Sequence, residues 1–416
     1  MIPRYTSLLS VTAVLAAVAS SASADEPKRP AASAPAAVSP TGPANAEAAE
    51  IIKALSAAWP DRPEWLDMYT AILDDEEMGP QYGWFRSAVT QSRYGWDATR
   101  KRYDKDGDAK IARNEFPGRD ADFARLDLDR DGAVTKDDFD KAAAPVGASP
   151  GLMLFSRADR DGNGKVTREE IDRFFKAADT DGHGFLTRSD LEAALPMPSP
   201  SRAMSPGDRP NKAMLIRGLF KQEVGSLQPG PKLDETAPDF TLRTNDGKSE
   251  VTLSKLVGPK PVVLIFGNFT CGPFRSHAGN FEKLYRRYGD RANFVMVYVR
   301  EAHPTDGWRM ESNDRLGVST AQPTTYDERV GVAQRCGKLL GLGFPMLVDS
   351  IDDAVGARYS GMPGRFYLID RQGKVAFKNG RGPYGFKHDE LEQALVLLLQ
   401  DEESRASAGG SQAASR

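Results

Sequence analysis

"VVLIFGNFTCGPF", residues 262–274, decides how this 416-residue chain is read. Val262–Phe266 is an apolar run of strand length, Gly267-Asn268 interrupts it, and Cys271 follows at the start of a segment with helical periodicity. Phe274, Ala278, Phe281, Tyr285 and Tyr288 recur at steps of three and four and fall on one helical face. Pro273 belongs to the first turn of that predicted helix, where a missing N–H costs nothing. A thiol beside a helix N-terminus meets free N–H groups that favour an anion, and such thiols ionise between about pH 3.5 and 7.5. The pattern therefore predicts an exposed, reactive Cys271; the competing reading is a buried, inert cysteine.

Around this stretch the pattern continues as strands and helices. Phe240–Leu242 and Val251–Leu253 flank Asn245-Asp246-Gly247 and read as a hairpin. Phe294–Val299, Met346–Asp349, Phe366–Ile369 and Val375–Phe377 are further short strands, and Leu391–Leu399 is a closing helix. Strand, helix, strand, helix and then a terminal hairpin and helix is a thioredoxin-like α/β arrangement. Met362-Pro363 precedes the Phe366 strand, where that fold usually places a cis-proline facing the thiol.

Upstream, four twelve-residue loops begin at Asp104, Asp127, Asp159 and Asp179 with the EF-hand pattern. A hard cation there needs six to eight oxygens, from side chains at positions 1, 3, 5 and 12 and a carbonyl at position 7, with glycine at position 6. The first loop offers Asp104, Asp106, Asp108, Lys110 and Glu115; the second, Asp127, Asp129, Asp131, Ala133 and Asp138. The third offers Asp159, Asp161, Asn163, Lys165 and Glu170; the fourth, Asp179, Asp181, His183, Phe185 and Asp190. Calcium is the expected ion, tightest in the third loop and weakest in the fourth, where His183 is a poor ligand for a hard cation. The shorter Asp138 and Asp190 at position 12 favour magnesium at those loops. Phe116–Leu126 and Ile171–Ala178 are too short for two helices each, so the loops form two pairs, each sharing one helix.

The rest of the chain bounds the setting. Arg4, the apolar Leu8–Val18 and Ala22-Ser23-Ala24 form a signal peptide over residues 1–24, which implies export to a periplasmic or extracellular space; the alternative is an uncleaved anchor. The expected order is then a flexible linker (25–45), an all-α helical EF-hand domain (46–194), a linker with a lead-in helix (195–232), the α/β thioredoxin-like domain (233–400) and a disordered tail (401–416). A formal net charge of −3 gives no footprint for nucleic acid, and no apolar run after the first thirty residues is long enough to span a bilayer.

Four segments carry a family resemblance. "FGNFTCGPF" (266–274), "YVREAHPTDGW" (298–308), "DERVGVA" (327–333) and "GRGPYGF" (380–386) together resemble the iodothyronine deiodinase family of thioredoxin-fold reductases. The resemblance implies that Cys271 stands where the family has its catalytic selenocysteine, with His303 as proton partner and Thr270 and Glu301 in support. Gln322-Pro323 stands where the family has a second histidine, and cysteine is less ionised than selenocysteine, so the expected substrate is a small peroxide, disulfide or halogenated electrophile, with an external thiol as reductant. Cys336, on a helix from Asp327 to Leu340, is either a core residue or a resolving thiol. The competing function is a calcium-stabilised scaffold with a vestigial thiol domain.

Overall fold

The computed structural model describes residues 46–76, 79–143, 149–195 and 206–413, so the expected signal peptide and linker (1–45) lie outside the described residues. In chain order the strands are β1 (Gln91–Ser92), β2 (Ile111–Ala112), β3 (Ala133–Val134), β4 (Thr241–Thr244), β5 (Glu250–Thr252), β6 (Val262–Gly267), β7 (Asn293–Tyr298), β8 (Met346–Val348), β9 (Arg365–Ile369) and β10 (Val375–Lys378). Eight of them form one mixed sheet in the order β1-β10-β9-β6-β7-β8-β4-β5. At its centre β6 pairs parallel with β7, from Val262 opposite Asn293 to Gly267 opposite Tyr298, and antiparallel with β9. Every residue of β6 is buried, which is why its sequence is a continuous apolar run with no polar alternation. The chain is an EF-hand region followed by a thioredoxin-like α/β domain.

The sheet and the EF-hand loops belong to one compact unit, Ile52–Arg416. Two features of the first half explain this. Gln91 and Ser92 pair with Lys378 and Phe377, so a segment far upstream supplies the edge strand beside β10. The first two EF-hand loops pair through Ile111 and Val134 in the small β2–β3 ladder, the position-8 residues of each loop. Around that pair, Tyr103, Ile111, Phe116, Phe123, Leu126 and Val134 join the same hydrophobic core as the sheet.

The closing helix is longer than the expected Leu391–Leu399: it runs from His388 to Ala413, through residues expected to be a disordered tail. The first EF-hand pair orders its far end. Asp401 takes Arg102 at 2.8 Å and the Tyr103 hydroxyl at 3.3 Å, and Arg291 bridges Asp122 at 2.9 Å and Glu403 at 2.8 Å. Local composition reads this stretch as solvated because its partners lie some 300 residues away.

The predicted single helix after Cys271 is broken in two, Gly272–Ser276 and Ala278–Tyr288, with His277 at the joint. The lead-in helix spans Lys212–Phe220, and the Cys336 helix Tyr326–Leu340, opened by a Thr325/Glu328 capping box and closed by Gly341 in the left-handed region. The Met362-Pro363 peptide is cis. Among the described residues, no helix is long and apolar enough to cross a membrane.

Candidate active site and calcium loops

Asn268, which follows the last residue of β6, builds the site. Its Oδ1 accepts from the Cys271 N–H at 3.0 Å, the Ala302 N–H at 3.2 Å and the Thr270 hydroxyl at 3.3 Å, while its Nδ2 donates to the Pro363 carbonyl at 3.0 Å. One fully buried amide thus ties together the thiol loop, the loop after β7 and the cis-proline loop before β9. Thr270 adds a second stitch: its N–H donates to Glu301 Oε2 at 2.9 Å, and its Oγ1 accepts from the His303 N–H at 2.9 Å. Glu301, fully buried, also takes the Tyr298 hydroxyl. Cys271, Thr270, Glu301 and His303 therefore meet at one end of the parallel β6–β7 pair, the usual position for a site in an open α/β sheet.

Cys271 and His303 line one cavity of about 250 Å³ with Pro273, Ala302, Met310, Pro363 and Pro383. Its outer wall comes from segments that local sequence pattern does not connect to the thiol: Phe85, Glu223 with Val224, Trp308 and Tyr384. Phe85 and Tyr384 meet edge to face, with ring centroids 5.0 Å apart. Trp308 stands edge to face on His303 at 4.6 Å, and its indole N–H is fixed by the Asp208 carbonyl at 2.8 Å. A short turn of 3₁₀-helix, Pro206–Asp208, inside the expected linker thus positions a wall of the cavity.

The electrostatics correct the expectation for Cys271. Its side chain is 2% exposed, and burial pushes the thiol up to about 11; the Phe274 N–H and the Arg275 guanidinium oppose that rise, and the Glu301 carboxylate reinforces it. The five-residue helix that follows offers too few aligned peptides to overcome desolvation. His303 moves the other way: burial lowers it to about 4, so its ring is neutral near pH 7. Its Nδ1 lies 3.2 Å from the Trp308 carbonyl, an acceptor, so Nδ1 carries the proton and Nε2 keeps the lone pair. The resting site holds a neutral thiol and a neutral imidazole.

The rate of Cys271 alkylation rises about tenfold per pH unit from pH 7 to pH 10, because the reacting thiolate is a growing minority throughout that range. Glu301→Gln, which removes a neighbouring negative charge, moves that rise to lower pH. A plateau reached near pH 7 in the wild type, read by peptide mass spectrometry, contradicts the burial argument.

Arg275 and Asn313, which sequence pattern did not single out, support the thiol together with Gln322. Arg275, almost fully buried, donates to the Phe269 carbonyl and, at 2.8 Å, to Asn313 Oδ1; Asn313 donates in turn to the Thr270 carbonyl at 2.7 Å. Gln322, at the position where the family resemblance leads one to expect histidine, holds both backbone groups of Glu301, at 2.9 and 3.2 Å. Asn268 had a signal, a polar residue ending a fully apolar strand three places before a cysteine; Arg275 and Asn313 had none. Cys336 is fully buried in the core, free like Cys271, and absent from the cavity lining.

The EF-hand loops bring carboxylates together to different degrees. Among the described residues, oxygens of Asp104, Asp106 and Asp108, of Asp127, Asp129 and Asp131, and of Asp159, Asp161 and Glu170 each converge within 4.8 Å. Such oxygen-only sets fit a hard divalent cation. At the position-12 residues, Glu115 accepts from the Lys105 and Ala112 N–H groups, Asp138 from Leu128 and Thr135, and Glu170 from Arg160 and Thr167. In the fourth loop Asp190 accepts from the Thr187 N–H in the same way, and His183 pairs with Asp181 at 2.8 Å. Lys110, Ala133, Lys165 and Phe185 occupy the position-7 places, where the backbone carbonyl is the donor.

Comparison with known proteins agrees with this layout. The sequence profile for an EF-hand domain pair matches residues 119–195, and that for iodothyronine deiodinase matches residues 210–398. A thyroxine 5-deiodinase from Sparus aurata is 30% identical over 190 residues, 44% of this chain and 69% of that protein. One from Gallus gallus is 34% identical over 181 residues, 42% of this chain and 64% of that protein. A putative thiol:disulfide interchange protein DsbE from Chlorobium tepidum superposes with a TM-score of 0.30 at 24% identity, over 40% of this chain and 98% of that one. The matched span contains Cys271, His303 and every strand of the sheet except β1. The chain belongs to the iodothyronine deiodinase family, and carries calcium-binding EF-hands on the same polypeptide.

Proposed function

We propose that this protein is an exported, calcium-binding thiol oxidoreductase in which Cys271 attacks a soft electrophile carried on an apolar, ring-bearing molecule. The observation that carries this reading is the single cavity shared by Cys271 and His303 and walled by Phe85, Trp308, Met310 and Tyr384. His303 Nε2 takes the thiol proton as attack proceeds, and Thr270 and Glu301 hold the two loops in register. A peroxide ROOH gives a sulfenic acid and ROH; a disulfide RSSR gives a mixed disulfide and RSH; a halide R–X attacked at halogen gives R–H and a sulfenyl halide. Two equivalents of an external thiol R′SH return the first and third species to Cys271 thiol, releasing R′SSR′ with water or hydrogen halide. A single equivalent exchanges with the mixed disulfide. Because Cys336 is shut away from the cavity, an external reductant is favoured over an internal one. The calcium loops support the ion's structural role, with magnesium at the shorter-ended second and fourth loops. The apolar Leu8–Val18 stretch followed by Ala22-Ser23-Ala24 supports export.

The test is a turnover panel of hydrogen peroxide, alkyl and aryl peroxides, small disulfides and iodinated phenols, with dithiothreitol as donor, run in excess calcium and again in EGTA. Consumption of at least one member, with ring-bearing electrophiles ahead of hydrogen peroxide, is the expected result. No turnover of any member would sink the oxidoreductase reading in favour of a calcium-stabilised scaffold.

A further inference from the structure

We infer that calcium in the third loop, Asp159–Glu170, governs access to Cys271 by clamping the helices that carry the two thiols, a regulation that rests on reading Cys271 as the reactive group. Gly164, at position 6 of this loop, lies with its backbone directly on the joint of the split thiol helix. Its carbonyl accepts from the Gly279 N–H at 3.2 Å. A Cβ on Gly164 would run into the Arg275 carbonyl oxygen, and one on Gly279 into the Gly164 carbonyl. Gly164 has φ +79°, so glycine serves both the turn and the close approach. With backbone on backbone, no rotamer change can absorb a movement of the loop.

The next residue makes the second half of the clamp. Lys165 Nζ donates to the Leu340 carbonyl at 2.7 Å and the Gly341 carbonyl at 3.2 Å, the C-terminal end of the Cys336 helix. These contacts lie between two ligand positions, the Asn163 side chain at position 5 and the Lys165 carbonyl at position 7. Asp159, Asp161 and Glu170 crowd like charges within 4.8 Å, so a cation draws the loop tight and its removal lets the carboxylates spread. The loosening reaches Arg275, whose guanidinium holds the Phe269 carbonyl and Asn313 beneath the thiol. The first EF-hand pair leans on the closing helix instead: the Asp138 carbonyl accepts from Gln393, and Arg291 joins Asp122 to Glu403. Calcium therefore keeps Cys271 covered, and by linkage, modification of Cys271 that pries the joint open weakens calcium binding.

The experiment uses the full chain, with iodoacetamide as probe and peptide mass spectrometry reading Cys271 alone, in excess calcium against EGTA at constant magnesium. Calcium is expected to slow Cys271 alkylation by at least about fivefold, the lower end of ordinary coupling between sites. Lys165→Met, which removes the tether but keeps the ligating carbonyl, is expected to reduce that ratio, and Asp159→Asn to abolish it. Equal rates with and without calcium in the wild type overturn the proposal, as does full protection retained in Asp159→Asn. The readout does not require turnover: calcium protection in a protein inactive on every electrophile retires the catalytic reading alone, and turnover with calcium-independent alkylation retires the clamp alone.

Discussion

Cys271→Ser is expected to lower turnover of any accepted electrophile by a factor on the order of a thousand or more, since a serine hydroxyl cannot replace the sulfur nucleophile. Serine fills nearly the same volume, and its hydroxyl stays near the Phe274 N–H that faces the thiol. The cost in stability is therefore only about 1–2 kcal/mol, that of placing a hydroxyl where a thiol was buried. Activity and thermal unfolding measured on the same preparation separate the two effects. Turnover within tenfold of wild type in a serine variant that still melts cooperatively contradicts Cys271 as the nucleophile.

Asn268→Ala has the second large effect, and it falls on stability as well as activity. Alanine leaves the Cys271 and Ala302 N–H groups without their acceptor and the Pro363 carbonyl without its donor, all in a fully buried setting. Each buried group left unpaired costs about 1–3 kcal/mol, and relaxation recovers part of the sum, so a loss of roughly 3 kcal/mol is expected. The loops bearing Cys271 and His303 also lose their common anchor, so turnover falls beyond what the lowered stability explains. Asn268→Asp keeps the acceptor, loses the donor to Pro363 and adds a negative charge near the thiol, so its alkylation shifts to still higher pH. Chemical denaturation with kinetics on the folded fraction checks both; an alanine variant within 1 kcal/mol of wild type would rule out the anchoring role.

The two halves of the site differ in how far they were legible. Cys271, Thr270, Glu301 and His303 are brought together because two parallel strands end side by side, and strand ends can be read from apolar runs. The burial of Cys271 was not legible, because the outer wall of its cavity comes from Phe85, Glu223 with Val224, Trp308 and Tyr384, four separate stretches with no shared period. A helix N-terminus in sequence implies an acidic thiol only if water reaches it. Here desolvation outweighs five residues of helix.

In the metal half, too, local spacing was legible and distant contacts were not. Ligand spacing gave the four loops, and the β2–β3 ladder pairs the first two. Spacing within a loop says nothing of what the loop rests on, so neither the contact of Gly164 with the thiol helix nor the hold of the first EF-hand pair on Asp401 and Glu403 was visible. Both depend on partners more than 100 residues distant. Gln322 is instructive in another way: a departure from the resembling family's pattern proves to be a residue that holds Glu301 by its backbone.

The central claim is that Cys271, protonated at rest and shielded by its cavity, is the atom that reacts. The most direct measurement is peptide mass spectrometry of the protein after one turnover, in the absence of reductant, with an electrophile from the panel that supports activity. Expected is a mixed disulfide on Cys271, or a sulfenic acid that dimedone traps there, with Cys336 unmodified; thiol added before dimedone prevents the adduct, and thiol removes the mixed disulfide. An adduct confined to Cys336, or turnover with both cysteines unmodified, would contradict it.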